Sequence, residues 1–165
     1  MKHPVGSTRD GATVVIDLIH SDAAKHISQQ PHILGLAQEA LQKITLQGKD
    51  IRIEHDMGRP IGYNFVVDTK DTDTVFYAQL LRDNVYSRFV KNGKPLATQC
   101  LSLILAKQDG EDAYELLDVW VGGLNPPRPG SANETTQSIP YWKTHAIVLD
   151  KQQLQTRTIT KECPY

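Results

Sequence analysis

The sequence predicts an α+β fold, with an N-terminal helix or helices packed on one face of a mostly antiparallel, twisted sheet. Three observations carry this. From His32 to Leu46 the apolar residues Ile33, Leu36, Ala37, Ala40, Leu41 and Ile44 recur three and four residues apart, which makes one face of an amphipathic helix. From Lys49 onward, short alternating or apolar runs succeed one another with turn residues between them. Helical patterns do not separate these runs, whereas a parallel sheet needs a crossover helix between most of its strands.

Element by element, Met1 to Asp10 is polar and has no apolar signal core. Thr13 to Ile19 is a β-branched run and reads as a strand. Ser21 and Asp22 suit a helix N-cap, with a turn or two over Ala23 to Ser28. Pro31 fits the first position of the longer helix and Gly48 its C′ position. Ile51 to His55 alternates as a half-buried strand, Met57 to Pro60 turns, Ile61 to Val67 is strand-like, and Asp68 to Asp73 is a polar turn. Thr74 to Leu81 and Val85 to Val90 are apolar and aromatic strands, and Asn92-Gly93 is a hairpin signal. Thr98 to Lys107 and Ala113 to Gly122 form a second hairpin around Asp109-Gly110. Asn125 to Pro140 holds four prolines and a polar stretch, a loop of a length that is uncommon in a compact domain and often functional. Tyr141-Trp142 can anchor its end, His145 to Asp150 is a last strand, and the polar tail from Lys151 is expected to be loosely attached.

This organisation predicts one domain over residues 1–165, with a core over about 12–150 and a tail at 151–165. The composition, 39% hydrophobic and 22% charged, is that of a globular chain and not of a disordered one. The formal charge of −1 gives no global basic field toward nucleic acid and leaves room for a local patch. No apolar run reaches the about 18 residues of a membrane span, so a cytoplasmic protein without membrane contact is expected. The two cysteines, Cys100 and Cys163, are expected as free thiols, since no pair has metal-site or redox-motif spacing.

Phosphate-loop, dinucleotide, zinc-protease and serine-hydrolase signatures are absent. The adjacent His55-Asp56 is too little for a metal site, so neither metal nor cofactor is expected. What remains is a set of His, Arg, Lys, Tyr and Trp in the β-rich part: His55 at a strand end, Arg59 in the turn after it, Tyr86, Arg88 and Lys91 in and after VYSRFV, Ser102 in LSLIL, and Trp142 and His145 before the last strand. Alternation in VYSRFV puts Tyr86, Arg88 and Val90 on one face and Val85, Ser87 and Phe89 on the other.

Two imidazoles and a cation on one sheet face can cleave RNA without metal. One neutral His takes the 2′-OH proton, a protonated one gives a proton to the leaving 5′-oxygen, and guanidinium or ammonium stabilises the charge that builds on phosphorus-bound oxygens. On this reading His55 and His145 are base and acid, in either order, Arg88 and Lys91 stabilise phosphate, and Arg59, Tyr86, Ser102 and Trp142 bind substrate, with Tyr86 or Trp142 stacking a base. The same residues also have ordinary structural uses, as hydrogen-bonded histidines and cross-strand partners.

His55, Tyr86, Arg88, Lys91, Ser102 and His145, in this order of elements between Pro31 and Asp150, resemble the ribonuclease-toxin superfamily that includes barnase, EndoU-like domains, colicin tRNases and RelE-type interferases. The resemblance implies helices ahead of an antiparallel sheet, metal-independent cleavage of RNA, and a toxin held by an antidote protein. A second class of function stays open: a non-enzymatic protein-binding or inhibitory module built on the loop at 125–140 with Trp120, Tyr141 and Trp142.

Overall fold

A computed structural model of the chain describes residues 1–165. In chain order it runs β1 (Lys2–Ser7), β2 (Thr13–Asp17), α1 (Asp22–Gln29), α2 (His32–Leu41), β3 (Asp50–Asp56), β4 (Gly62–Asn64), β5 (Val66–Asp68) and β6 (Val75–Leu80). It continues β7 (Tyr86–Val90), β8 (Leu96–Thr98), β9 (Cys100–Lys107), β10 (Ala113–Val121), α3 (Ser138–Thr144), β11 (His145–Val148), α4 (Lys151–Leu154) and β12 (Arg157–Thr160). Helices and mixed sheets make it an α+β chain, and no helix is long and apolar enough to cross a membrane.

The sequence reading treats the chain as one domain; the fold gathers it into two compact units. Unit 1 is Met1–Gly62 with Ala97–Leu124, and unit 2 is Tyr63–Leu96 with Asn125–Tyr165. Each unit contains a five-stranded sheet, in the order β1-β2-β10-β9-β3 and β12-β6-β7-β11-β5. In each, three strand pairs are antiparallel and one is parallel: β2 with β10, and β7 with β11. The short strands β4 and β8 pair separately.

In unit 1, Ser21 caps α1 by accepting from the Ala24 N–H, as its residue type suggests. The longer helix ends at Leu41, well before Gly48. Backbone bonds from Lys43 to Ala40 and from Ile44 to Leu41 tighten its last turn, and the Tyr114 hydroxyl donates to the Leu46 carbonyl beyond it. The helical residues Ala23, Ile33, Ala37, Ala40 and Leu41 share one apolar core with Val14, Ile16, Leu101, Leu103, Leu105, Leu116 and Val119 from the strands. The stretch before Thr13, which has no strand pattern, forms edge strand β1, where Pro4 falls at a bulge.

In unit 2 both faces of the sheet are buried. Phe76, Ala78, Phe89, Trp142 and Ile147 form one cluster, and Val67, Val90, Ala146 and Val148 form another. Phe89 and Val90, adjacent on β7, point into different clusters, as strand alternation requires. Asn92-Gly93 does not join a β7/β8 hairpin: β8 pairs with β4. The Asn92 amide instead accepts from the Thr74 N–H and donates to the Thr72 carbonyl, fixing the start of β6. The expected strand from Ile61 to Val67 is two strands in two sheets. The tail is not loose between Arg157 and Thr160, which pair with Leu80 to Tyr77.

Candidate functional site

The candidate residues divide between the units. In unit 1, His55 lies on β3 on the side of Ile51 and Ile53, which belong to or pack against the apolar core, and its Nε2 is buried without a partner. Arg59 holds Glu39 through two bonds of 2.7 and 2.8 Å. That guanidinium draws the Glu39 carboxyl down to about 2 and is itself pushed up by the carboxylate. Ser102 is fully buried and donates to the Gly122 carbonyl at 2.7 Å, inside the sheet and away from any open face. A shallow polar depression of about 340 Å³ between Lys2, Gln108, Glu111 and Glu115 carries both signs of charge and none of the candidate residues.

Unit 2 holds His145, Arg88, Lys91, Tyr86 and Trp142, so the two candidate histidines are not brought together within either unit. His145 opens β11 opposite Asp68 at the end of β5. Its Nε2 meets the Asp68 carboxylate at 2.9 Å, and its Nδ1 lies 2.9 Å from the Tyr141 carbonyl and from Thr144 Oγ1. The ring thus lies between a carbonyl at one nitrogen and a carboxylate at the other, both of them hydrogen-bond acceptors. Tyr141 stacks on the ring at 3.8 Å with the planes 5° apart. Asp68 stays largely exposed, at 83% of its side chain, while the imidazole is three-quarters covered.

Arg88 does not stand on an open face; only 8% of it is exposed. Its Nε donates to the Tyr77 hydroxyl at 3.3 Å, and its Nη1 donates to Thr69 Oγ1 at 2.9 Å and to the His145 carbonyl at 3.0 Å. The Arg88 guanidinium is therefore tied to His145 and to the residue that follows Asp68. The Tyr77 hydroxyl, covered and beside the Cys163 thiol, is pushed above its ordinary value, with Arg88 pulling the other way. Lys91 sits 5.5 Å from the Phe76 ring centre. The Tyr86 hydroxyl donates to Gln79 Oε1 at 2.9 Å. Trp142 is buried at 3% exposure, and its Nε1–H donates to the Pro126 carbonyl, so it anchors the proline loop and has no free face for a base.

The sequence reading passes over Asp68 and a second basic centre. Ser87 is fully buried on β7, and its hydroxyl accepts from Arg128 Nη1 at 2.6 Å and from Arg157 Nη1 at 3.2 Å. Burial, with Arg157 beside it, pulls the Arg128 guanidinium down to about 10. Arg128 comes from the loop flagged by its length, so a cation between prolines is a signal that could have pointed here. That Ser87 faces two arginines has no local signature. His26, likewise unassigned from sequence, sets its Nδ1 2.8 Å from Asp118 Oδ1 at the bulge in β10. Asp118 raises the imidazole above its ordinary value. No group of three or more His, Cys, Asp or Glu is placed to hold a metal ion, and both cysteines are free.

Compared with known proteins, the chain matches no family model, no curated protein and no solved structure.

Proposed function

We propose that the protein is a ribonuclease of the metal-independent kind, with its reacting groups in unit 2. The observation that carries the reading is the His145–Asp68 pair at 2.9 Å with the Arg88 guanidinium bonded to the His145 carbonyl and to Thr69. Asp68, exposed, takes the proton of a ribose 2′-OH. The 2′-oxygen attacks phosphorus, the P–O5′ bond breaks, and His145 gives its proton to the leaving 5′-oxygen, which leaves a 2′,3′-cyclic phosphate and a 5′-hydroxyl. Arg88, buried and bonded to the His145 carbonyl and to Thr69, positions the pair and adds a fixed positive charge near it. In this arrangement Asp68 takes the base role that one of the two histidines, His55 or His145, holds on the sequence alone. The N-terminal helices of unit 1 are the cover on one face of its sheet. A toxin use, with an antidote protein as partner, and a cytoplasmic place belong to the same proposal through the resemblance of the sequence to ribonuclease toxins. The protein-binding alternative has less support, because Trp142 and Tyr141 turn inward to bond Pro126 and Asn125.

The test is incubation of the protein with single-stranded RNA in the presence of a chelator, with products identified by mass. Cyclic-phosphate ends that disappear by about 10²–10⁴-fold in Asp68→Asn, with the fold kept by circular dichroism, are the expected result. Intact RNA with the unaltered protein, or full cleavage by Asp68→Asn, overturns the assignment.

A further inference from the structure

The three arginines of the chain that are partly or fully covered, Arg88, Arg128 and Arg157, all lie in unit 2 and have no carboxylate within ion-pairing distance. Arg88 is satisfied by Tyr77, Thr69 and the His145 carbonyl. Arg128 and Arg157 are not satisfied in this way. Each makes one hydrogen bond, and both bonds end on the same hydroxyl, Ser87 Oγ. A guanidinium carries five N–H donors, and Arg128 and Arg157 are only partly covered, so two like charges stand side by side without a carboxylate and keep donors open to a ligand. That Arg128 is pulled down to about 10 by burial and by Arg157 agrees with the geometry.

Relaxation away from this position is blocked on both sides of Arg128. The Pro126 carbonyl is held by Trp142 Nε1 at 2.9 Å, and Pro129 is buried. Gly130 has φ +84°, and a Cβ there would collide with the Asn84 carbonyl, so the chain passes that backbone too closely for any other residue. Ser87 is fixed in turn on the central strand of the sheet. A second, independent observation lies alongside. The Tyr165 ring packs on the Phe76–Phe89–Trp142 cluster and edge-on to Tyr77, and its hydroxyl is buried without a partner. Burial pushes that phenol up, and Arg128 and Arg88 are near enough to oppose the shift.

We propose that Arg128, Arg157 and Ser87, with the Tyr165 hydroxyl at their side, are a binding site for a phosphate group. Two planar donor forks and two hydroxyls approach from different elements, which suits a tetrahedral anion with several acceptor oxygens better than a flat carboxylate. The doubly negative charge of a phosphate monoester or of free phosphate offsets both guanidiniums. The site stands independently of RNA cleavage, and its readout is binding.

Inorganic phosphate is titrated into the full chain in a chloride buffer by calorimetry and ³¹P NMR, with acetate as the flat-anion control. Two further arms use a short oligonucleotide with and without a 5′-phosphate. One phosphate per chain is expected, with affinity lowered about tenfold or more in Arg128→Gln and in Arg157→Gln. Binding of inorganic phosphate assigns the free anion; binding only of the 5′-phosphorylated strand assigns a nucleic-acid end. If Arg128→Gln does not fold, Arg157→Gln on the half-exposed β12 carries the test. Absence of binding by the unaltered chain in all arms overturns the proposal. So does equal binding by the variants, or acetate binding as tightly as phosphate.

Discussion

The two units share one sheet plan and differ in what they bury. Read from β1 in unit 1 and from β5 in unit 2, each sheet is paired antiparallel, parallel, antiparallel, antiparallel. The chain connects the strands in different orders, β1-β2-β10-β9-β3 against β5-β11-β7-β6-β12. Unit 1 fills its interior with one cluster of 18 buried apolar residues. Its close charge pairs, Arg59 with Glu39 and His26 with Asp118, are partly exposed. Unit 2 divides its apolar interior into clusters of five and four. Its central strand carries Ser87 and Arg88 through the sheet, buried, and Ser87 faces two more arginines. Buried cations without carboxylates contribute little to stability, because desolvation opposes them. A natural chain departs from locally consistent packing mostly where it acts. The comparison teaches that equal backbone plans do not imply equal roles: unit 1 is organised around packing, and unit 2 around polar groups.

The largest effect that can break this contrast is on activity. On the ribonuclease proposal His145→Ala lowers RNA cleavage by about 10²–10⁴-fold, while His55→Ala leaves it within about threefold, as read from initial rates on one substrate. A loss of equal size in both variants would return the base role to His55 and place chemistry in unit 1. The next effect is on stability. Leu103, fully buried in the single core of unit 1, loses about 2–5 kcal/mol on truncation to Ala, measured by urea unfolding, with cleavage per folded molecule unchanged. A smaller loss, about 1–3 kcal/mol, is expected for Gly130→Ala in unit 2, from its positive φ and the Asn84 carbonyl in its way. This variant also displaces Arg128, so it weakens phosphate binding where Leu103→Ala does not.

The smallest effect is the pH response of unit 1. Asp118 raises the His26 imidazole above its ordinary value near 6.5, so the folded state binds the proton more tightly than the unfolded chain. The stabilisation is fully present below about pH 6.5 and is lost as pH rises through the folded value. Because 41% of the His26 side chain is exposed, solvent screens the pair and the change in melting temperature is modest. Asp118→Asn removes that slope between pH 6 and 8. An unchanged slope would assign the pH response to other groups.

How much of this was legible in the sequence depends on distance along the chain. Ser21 as a cap, the apolar face of α2, the β9/β10 hairpin and the alternation of β7 all follow from neighbours a few residues apart. Edge strand β1 was not legible, because pairing on one side and solvent on the other leave little apolar pattern in KHPVGS. Asn92-Gly93 has the residues of a hairpin turn, yet Asn92 bonds backbone near residue 73 and the strands beside it pair elsewhere. Of the site, His145 and Arg88 were named from their types and positions. Asp68 sits in a polar turn that looks solvated, and Arg128 reaches Ser87 from 41 residues away. His26 meets Asp118 across 92 residues, which no local pattern encodes.

The sequence by itself determined which segments become helix or strand over most of the chain, and the α+β class with mostly antiparallel pairing. Periodicity, caps and turn residues act within a few positions, where the backbone alone sets which side chains share a face. Tertiary structure decided that the strands divide among two five-stranded sheets and one of two strands, and that the polar tail adds an edge strand to one of them through β12. It also decided that Arg88 of β7 is buried, and Arg128 of the proline loop and Arg157 of β12 partly covered, without carboxylates. Strand pairing and the burial of a charge are settled by groups far apart in the chain, through solvent excluded jointly by several elements, and that exclusion exists only once those elements have met.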